Sequence, residues 1–494
     1  MKSKFSPIII LLFIICYSIS FAEVIDEHKD LQGPFETPEQ VTAKCLECHD
    51  EAAEDFMKTR HWKWEGKEFE LHGKKIKLGK KNIFNNFCIN INSNEPRCTS
   101  CHAGYGWKNK DFDFSNSEKI DCLVCHDQTG TYQKFPTAAG YPVYKEKEKF
   151  FKGDKKTYKK PDFVKIAQNV GTPKNKNCGA CHFCGGGGNC IKHTDMDMSL
   201  DDPASGVDVH MGKYNMNCTN CHAGEKHHIK GALHASMAAG VNHFECTDCH
   251  KGKKFHKTKK IRMGSLIDKH TKSVACATCH IPKVAKKCST KIWWDWTTAG
   301  DKKRKIEKDE NNQPLYSWKK GDFKWGKNLT PEYYWHNGKT DYYLLGEKIK
   351  DPSKILIFNK LEGTFEDKKS KISPFKVMRG KQYYDPKTKQ LLAPKLFGKD
   401  GYWESLDWDK AFTQGMKSVG LKYSGSYAPI ETKMYWPLFH MVAAKEDSLG
   451  GKKNRCGVCH AKAGKKGLMD WKALGYSGDP KKKDHKSRIK KTEK

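Results

Sequence analysis

The pentapeptide Cys-x-x-Cys-His occurs eight times in this 494-residue chain. The copies are Cys45, Cys48 and His49; Cys98, Cys101 and His102; Cys122, Cys125 and His126; and Cys178, Cys181 and His182. They continue with Cys218, Cys221 and His222; Cys246, Cys249 and His250; Cys276, Cys279 and His280; and Cys456, Cys459 and His460. The spacing is that of covalent c-type haem attachment, in which two thiols take up the haem vinyl groups and the imidazole ligates iron. First cysteine and histidine are one helical turn apart, so a single turn presents all three groups together. Structural zinc knuckles also use Cys-x-x-Cys, but zinc does not require a histidine directly after every pair. A disulfide framework would not keep the spacing constant. The sequence therefore predicts eight covalent haems c.

Haem at this density, about one per 62 residues, constrains the fold. Only 37% of residues are hydrophobic and 30% are charged, a balance that by itself leans towards disorder. Eight porphyrins supply the missing apolar surface, and the 11% aromatic content suits packing on their faces. The expected fold is a mainly α and irregular multihaem cytochrome c, with little β-sheet and no conventional core. Close-packed rings would pass electrons among themselves.

Five segments are expected. Residues 1–22 read as a secretory signal: Lys2 and Lys4, an apolar run, then Ser20 and Ala22 at small-residue cleavage positions. The mature chain is then periplasmic and not an integral membrane protein. Residues 23–290 hold seven haem sites, with Thr37, Pro38 and Gln40 marking a capped helix into the first. Residues 291–436 carry no motif and read as an aromatic-rich wrap with some strand. Residues 437–476 hold the eighth site, with a helix opening at Pro437. Residues 477–494 form a basic tail without apolar periodicity, read as disordered.

The formal charge is +32. Loss of Lys2 and Lys4 and addition of two propionates per haem bring the holoprotein to about +14. In an exported protein this excludes nucleic acid as the partner and favours a small anionic substrate with a redox partner protein or quinol-linked donor.

Fourteen histidines lie outside the motifs. A haem with two imidazoles is coordinatively full and relays electrons, whereas an open position permits chemistry. The candidate second ligands are His61, His193, His210, His228, His256, His270 and His440, with His227, His234 and His243 as rivals in the same region. Of the non-motif cysteines, Cys184 and Cys190 flank a glycine-rich loop and could form a disulfide in an oxidising compartment, a pairing the sequence leaves open. Cys88 and Cys288 are then left paired or free, and a free exported thiol invites a catalytic role.

Four stretches carry a family resemblance: "KKNIFNNFCINI…NEPRCTSCHAGYGW", "CGACHFCGGGGNCIKHTDMDMSL", "VACATCHIP" and "KIWWDWTTAG". With the eight motifs in order, the chain resembles the octaheme tetrathionate reductase family of multihaem cytochromes c. That resemblance implies one active haem, on Cys98 and Cys101, with Lys192 as axial ligand and Cys88 beside it, the other haems being bis-histidine. It implies reduction of tetrathionate to thiosulfate, of nitrite and hydroxylamine, or of both. Cys184 and Cys190 depart from the family pattern. Asn85 and Asp195 flank the pocket residues and join the catalytic candidates. A non-enzymatic electron conduit is the competing expectation, with every haem doubly ligated.

Overall fold

The computed structural model describes residues 27–84, 91–143, 145, 149–150, 157–185, 187–231, 244–252, 255–256, 264–451, 456–461 and 467–482. The expected signal segment, Asn85, Cys88, His234 and His243 lie outside the described residues.

The first half of the chain is short helices joined by coil. Helix Pro38–Leu46 starts as its sequence dictates: the Gln40 amide donates to Thr37 Oγ1, and Gln40 Oε1 accepts from the Thr37 amide. Helices Leu123–His126, Asn175–His182, Cys218–Cys221, Cys246–Cys249 and Cys276–His280 carry five further motifs. At five motifs, beginning with Cys45, Cys122, Cys218, Cys246 and Cys456, the histidine amide donates to the carbonyl of the first cysteine, at 2.8–3.1 Å. One closed α-turn thus places thiols and imidazole on one side.

The Cys98 motif breaks this rule. Its turn is 3₁₀ over Thr99–Cys101, the His102 amide donates to Thr99 instead, and His102 itself is extended (φ −68°, ψ 137°). Its imidazole therefore leaves the turn in another direction.

Residues 290–437 overturn the expectation of little sheet and no core. They build an eight-stranded mixed sheet. The long strand Lys371–Asp385 is central. It pairs antiparallel with Ala428–Pro437 from Phe375↔Pro437 to Tyr384↔Ala428, and parallel with Thr290–Asp295. Glu332–His336 and Gln390–Leu391 also pair with it, antiparallel. Trp, Tyr and Phe favour such pleated surfaces. Trp294, Trp296, Phe323, Phe358, Met378, Met434 and Trp436 belong to one hydrophobic core, whose Trp294, Trp296 and Trp436 also line a large cavity. Helix Trp408–Ser418, capped where Asp407 accepts from the Lys410 amide, lays Ala411, Phe412, Gly415 and Met416 on that core. Gly415 is required there, because an added Cβ would fall 1.8 Å from the Ala393 carbonyl oxygen.

The helix expected from Pro437 is also absent. Pro437 ends a strand, and the chain beyond it turns without helix. Buried carboxylates take the amides a helix would need: Asp195 accepts from Phe439 and His440, and Asp208 from Val442. Among the described residues, no helix is long and apolar enough to cross a membrane.

Candidate functional site

Seven motif imidazoles each face a second imidazole. His49 faces His28 at a ring-centroid distance of 5.9 Å, His182 faces His61 at 6.2 Å, and His126 faces His227 at 6.4 Å. His250 faces His210 at 6.1 Å, His222 faces His440 at 6.2 Å, His280 faces His256 at 6.2 Å, and His460 faces His270 at 6.3 Å. Two imidazoles bound to one metal at about 2 Å, with ring centres about 1 Å further out, stand about 6 Å apart. Such a pair is too far apart for ring stacking and fits an iron between the rings.

The other ring nitrogens are held in place. Nδ1 of His126, His222 and His270 lies 3.0, 2.8 and 2.8 Å from the carbonyls of Gly171, Lys230 and Leu266. Nδ1 of His256, His440 and His460 lies 2.9, 3.3 and 2.6 Å from carboxylates of Asp268, Asp195 and Asp479. Anchoring Nδ1 this way leaves Nε2 for metal and sets its tautomer. Burial lowers the His61 and His280 pKa and brings His182 to about 3, favouring the neutral form a ligand requires. Asp479 belongs to the stretch expected to be a disordered tail, yet it is engaged with a motif histidine.

One cavity of about 5490 Å³ runs past all these motifs. Shared among eight sites it gives about 690 Å³ apiece, within the roughly 300–1,000 Å³ of a single cofactor pocket. Thiols of different motifs face each other: Cys45 and Cys122, Cys101 and Cys181, Cys178 and Cys218, Cys246 and Cys276. Cys125 also lies near Cys178, Cys221 near Cys249, and Cys279 near Cys459. Numbered along the chain, the motifs form a series 1–3–4–5–6–7–8, and motif 2 joins at motif 4.

Motif 2 is the exception. No second imidazole faces His102 among the described residues. Its Nε2 lies 2.7 Å from the Trp62 carbonyl, and Trp62, Trp64, Trp107, Phe112 and Phe114 surround it at 5.0–6.1 Å. Among the described residues three lysines are buried: Lys192, Lys291 and Lys376. Lys291 sits over the Phe323 ring at 3.0 Å, and Lys376 donates to the carbonyls of Ile191 and Lys192 and to Thr290. Lys192 alone of the three lines the cavity, where Cys98, Cys101, Lys80, Arg97 and Lys134 also lie.

Several expected site residues stand elsewhere. His193 lies edge-on to Trp436 at 5.0 Å, while His61 takes the place opposite His182. His228 is exposed in a strand of a small hairpin, whose tip presents His227 to His126. His28 had no distinguishing local pattern in the sequence; a 3₁₀ turn over Glu27–Asp30 brings it to His49. Asp195 is bound to the His440 ring and amide, which makes it a support for that histidine. Cys190 faces Cys288 and Asp197, whereas Cys184 is exposed, so the structure does not pair Cys184 with Cys190.

Attachment motifs, facing imidazoles and a shared cavity define a multihaem c-type cytochrome. The crystal structure of octaheme cytochrome c from Shewanella oneidensis is similar with a TM-score of 0.81 and 44% identity, over 92% of this chain and 97% of that one. A family model described as bacterial cytochrome c matches residues 291–463. An uncharacterized protein of Archaeoglobus fulgidus is 25% identical over 241 residues, 42% of this chain and 80% of that protein. The chain belongs to the octaheme cytochromes c and carries eight covalently bound haems c.

Proposed function

We propose that this protein is an exported, periplasmic reductase of small inorganic substrates, acting at the haem on Cys98 and Cys101. Tetrathionate, nitrite and hydroxylamine are the candidate substrates. The observation that carries the reading is the asymmetry of the eight motifs: seven have two facing imidazoles, and among the described residues the His102 imidazole of motif 2 faces no other. His102 is committed to the Trp62 carbonyl, and the buried lysine on the cavity wall is Lys192.

Haem, when bound, supplies one-electron transfer and, where an axial position is open, a metal that holds substrate. The protein does the rest. Lys192, buried on the cavity wall, would hold the haem iron through its side-chain amine. Lys80, Arg97 and Lys134 draw oxoanions into the cavity. Facing imidazoles hold the other seven sites full, so that they only relay charge along the motif series. For tetrathionate, two electrons cleave the central sulfur–sulfur bond and give two thiosulfates. Cys88, placed beside this haem by family resemblance, attacks an inner sulfur as thiolate and releases the first thiosulfate. Two electrons then release the second and restore the thiolate.

Reduced holoprotein is mixed with each substrate while haem absorption is followed. Rapid reoxidation is expected, abolished for tetrathionate but retained for nitrite in Cys88→Ser. No reoxidation by any of the three, with eight identical bis-imidazole spectra, refutes the proposal and leaves an electron conduit.

A further inference from the structure

Two residues before Lys192 the chain makes a second cluster that the haem chemistry does not use. Cys190 and Asp197 are fully buried, and Cys288 is half-buried on the approach to the first strand of the sheet. Cys190 Sγ lies 3.6 Å and Cys288 Sγ 3.2 Å from the same oxygen, Asp197 Oδ2, and all three ligand atoms fall within 4.8 Å of one another. The other carboxylate oxygen is taken by the Ser199 amide at 2.7 Å.

Thiols are weak hydrogen-bond donors, and a buried carboxylate held mainly by two of them is poorly compensated. A divalent ion resolves this. Zinc bonds of about 2.3 Å to sulfur and 2.0 Å to oxygen, at the tetrahedral angle, place sulfur and oxygen about 3.5 Å apart and two sulfurs about 3.8 Å apart. The two sulfur–oxygen separations, 3.6 and 3.2 Å, lie on either side of that value, and the two sulfurs lie within 4.8 Å of each other. Two thiolates and a carboxylate around zinc carry one net negative charge, and Lys376, whose pKa burial lowers to about 7, is close enough to Cys190 and Cys288 for both to favour its charged form. Two sulfur ligands select a soft or borderline ion over magnesium or calcium.

We propose that Cys190, Asp197 and Cys288 bind one zinc ion, with solvent in the fourth position. Binding releases two thiol protons and transfers no electrons. The ion would tie the glycine-rich loop, two residues from Lys192, to the strand segment that begins at Thr290.

Zinc and iron are measured together in purified holoprotein that has been loaded with zinc and desalted. One zinc per eight irons is expected. Cys288→Ser should keep eight irons and lose the zinc, and Asp197→Asn, which serves if the first variant fails to fold, should retain it at least about tenfold more weakly. Absence of stoichiometric zinc in the wild type overturns the proposal. So does zinc retained in full by both variants, or an intact mass lower by two hydrogens with Cys190 and Cys288 joined as a disulfide.

Discussion

Replacing Asp195 separates a catalytic role from a supporting one. Its carboxylate is buried and accepts from the Phe439 amide at 2.8 Å, the His440 amide at 3.0 Å and His440 Nδ1 at 3.3 Å. Those bonds fix the backbone that follows the strand Ala428–Pro437 and orient the ring facing His222. Asp195→Ala removes the acceptor of three part-buried donors. At about 1–3 kcal/mol for a fully buried group, discounted because water reaches these donors, the cost is about 2–3 kcal/mol in all. Asp195→Asn keeps one acceptor oxygen and loses the charge, so about 1–2 kcal/mol is expected. Denaturant unfolding of the holoprotein gives both values. Magnetic circular dichroism counts the bis-imidazole haems, and Asp195→Ala should lower the count by one, at the haem on Cys218 and Cys221. If both variants instead lose turnover while stability and haem count stay at wild type, Asp195 acts on substrate and the positioning argument fails.

Three further outcomes follow from the same geometry. His102→Phe should cost about 0.5–1.5 kcal/mol for the bond to Trp62 and leave eight haems with unchanged electron-paramagnetic spectra; a new spin state would show that His102 ligates iron. Gly415→Ala drives a methyl group into the Ala393 carbonyl and should lower stability by about 1–3 kcal/mol in thermal unfolding, whereas a neutral result would mean the helix shifts freely. His72 sits 2.5 Å from both Glu347 and Asp341, and those carboxylates, Glu347 foremost, raise its pKa. Its stabilisation is full below the unfolded value of about 6.5 and lost as pH rises through the higher folded value. Because the ring is 38% exposed, this is worth under about 1 kcal/mol. His72→Gln should therefore be weaker than wild type near about pH 5 and equal to it near about pH 9; a gap that widens with pH contradicts the assignment.

The attachment chemistry was legible in the linear chain because it is local. A helical turn spans Cys45 to His49 whatever surrounds it, and Thr37, Pro38 and Gln40 start that helix by contacts within four residues. Distal ligands were only partly legible. His61, His210, His256, His270 and His440 could be named as candidates, but the choice between neighbours depends on single torsions. His227 faces His126 because Lys226 and His227 both adopt positive φ (47° and 61°) at the tip of a two-residue hairpin, a conformation their side chains do not advertise.

The aromatic segment shows the reverse limit. The aromatic residues of 291–436 read as a wrap over the porphyrins, and Trp294, Trp296 and Trp436 do line the cavity, but Phe323, Phe358 and Met378 are buried in a sheet-backed core that the linear chain does not announce. Only the pairing of Lys371–Asp385 with remote strands, as where Arg379 meets Trp293 from 86 residues away, gathers these residues into a core. Sequence by itself determined the number of haems and the residues that attach them, since covalent spacing obeys bond lengths within one turn. Tertiary structure decided which imidazoles face one another, that His102 faces none among the described residues, and that Cys190 meets Cys288 across 98 residues. Those are contacts between remote segments, and no periodicity in the chain encodes them.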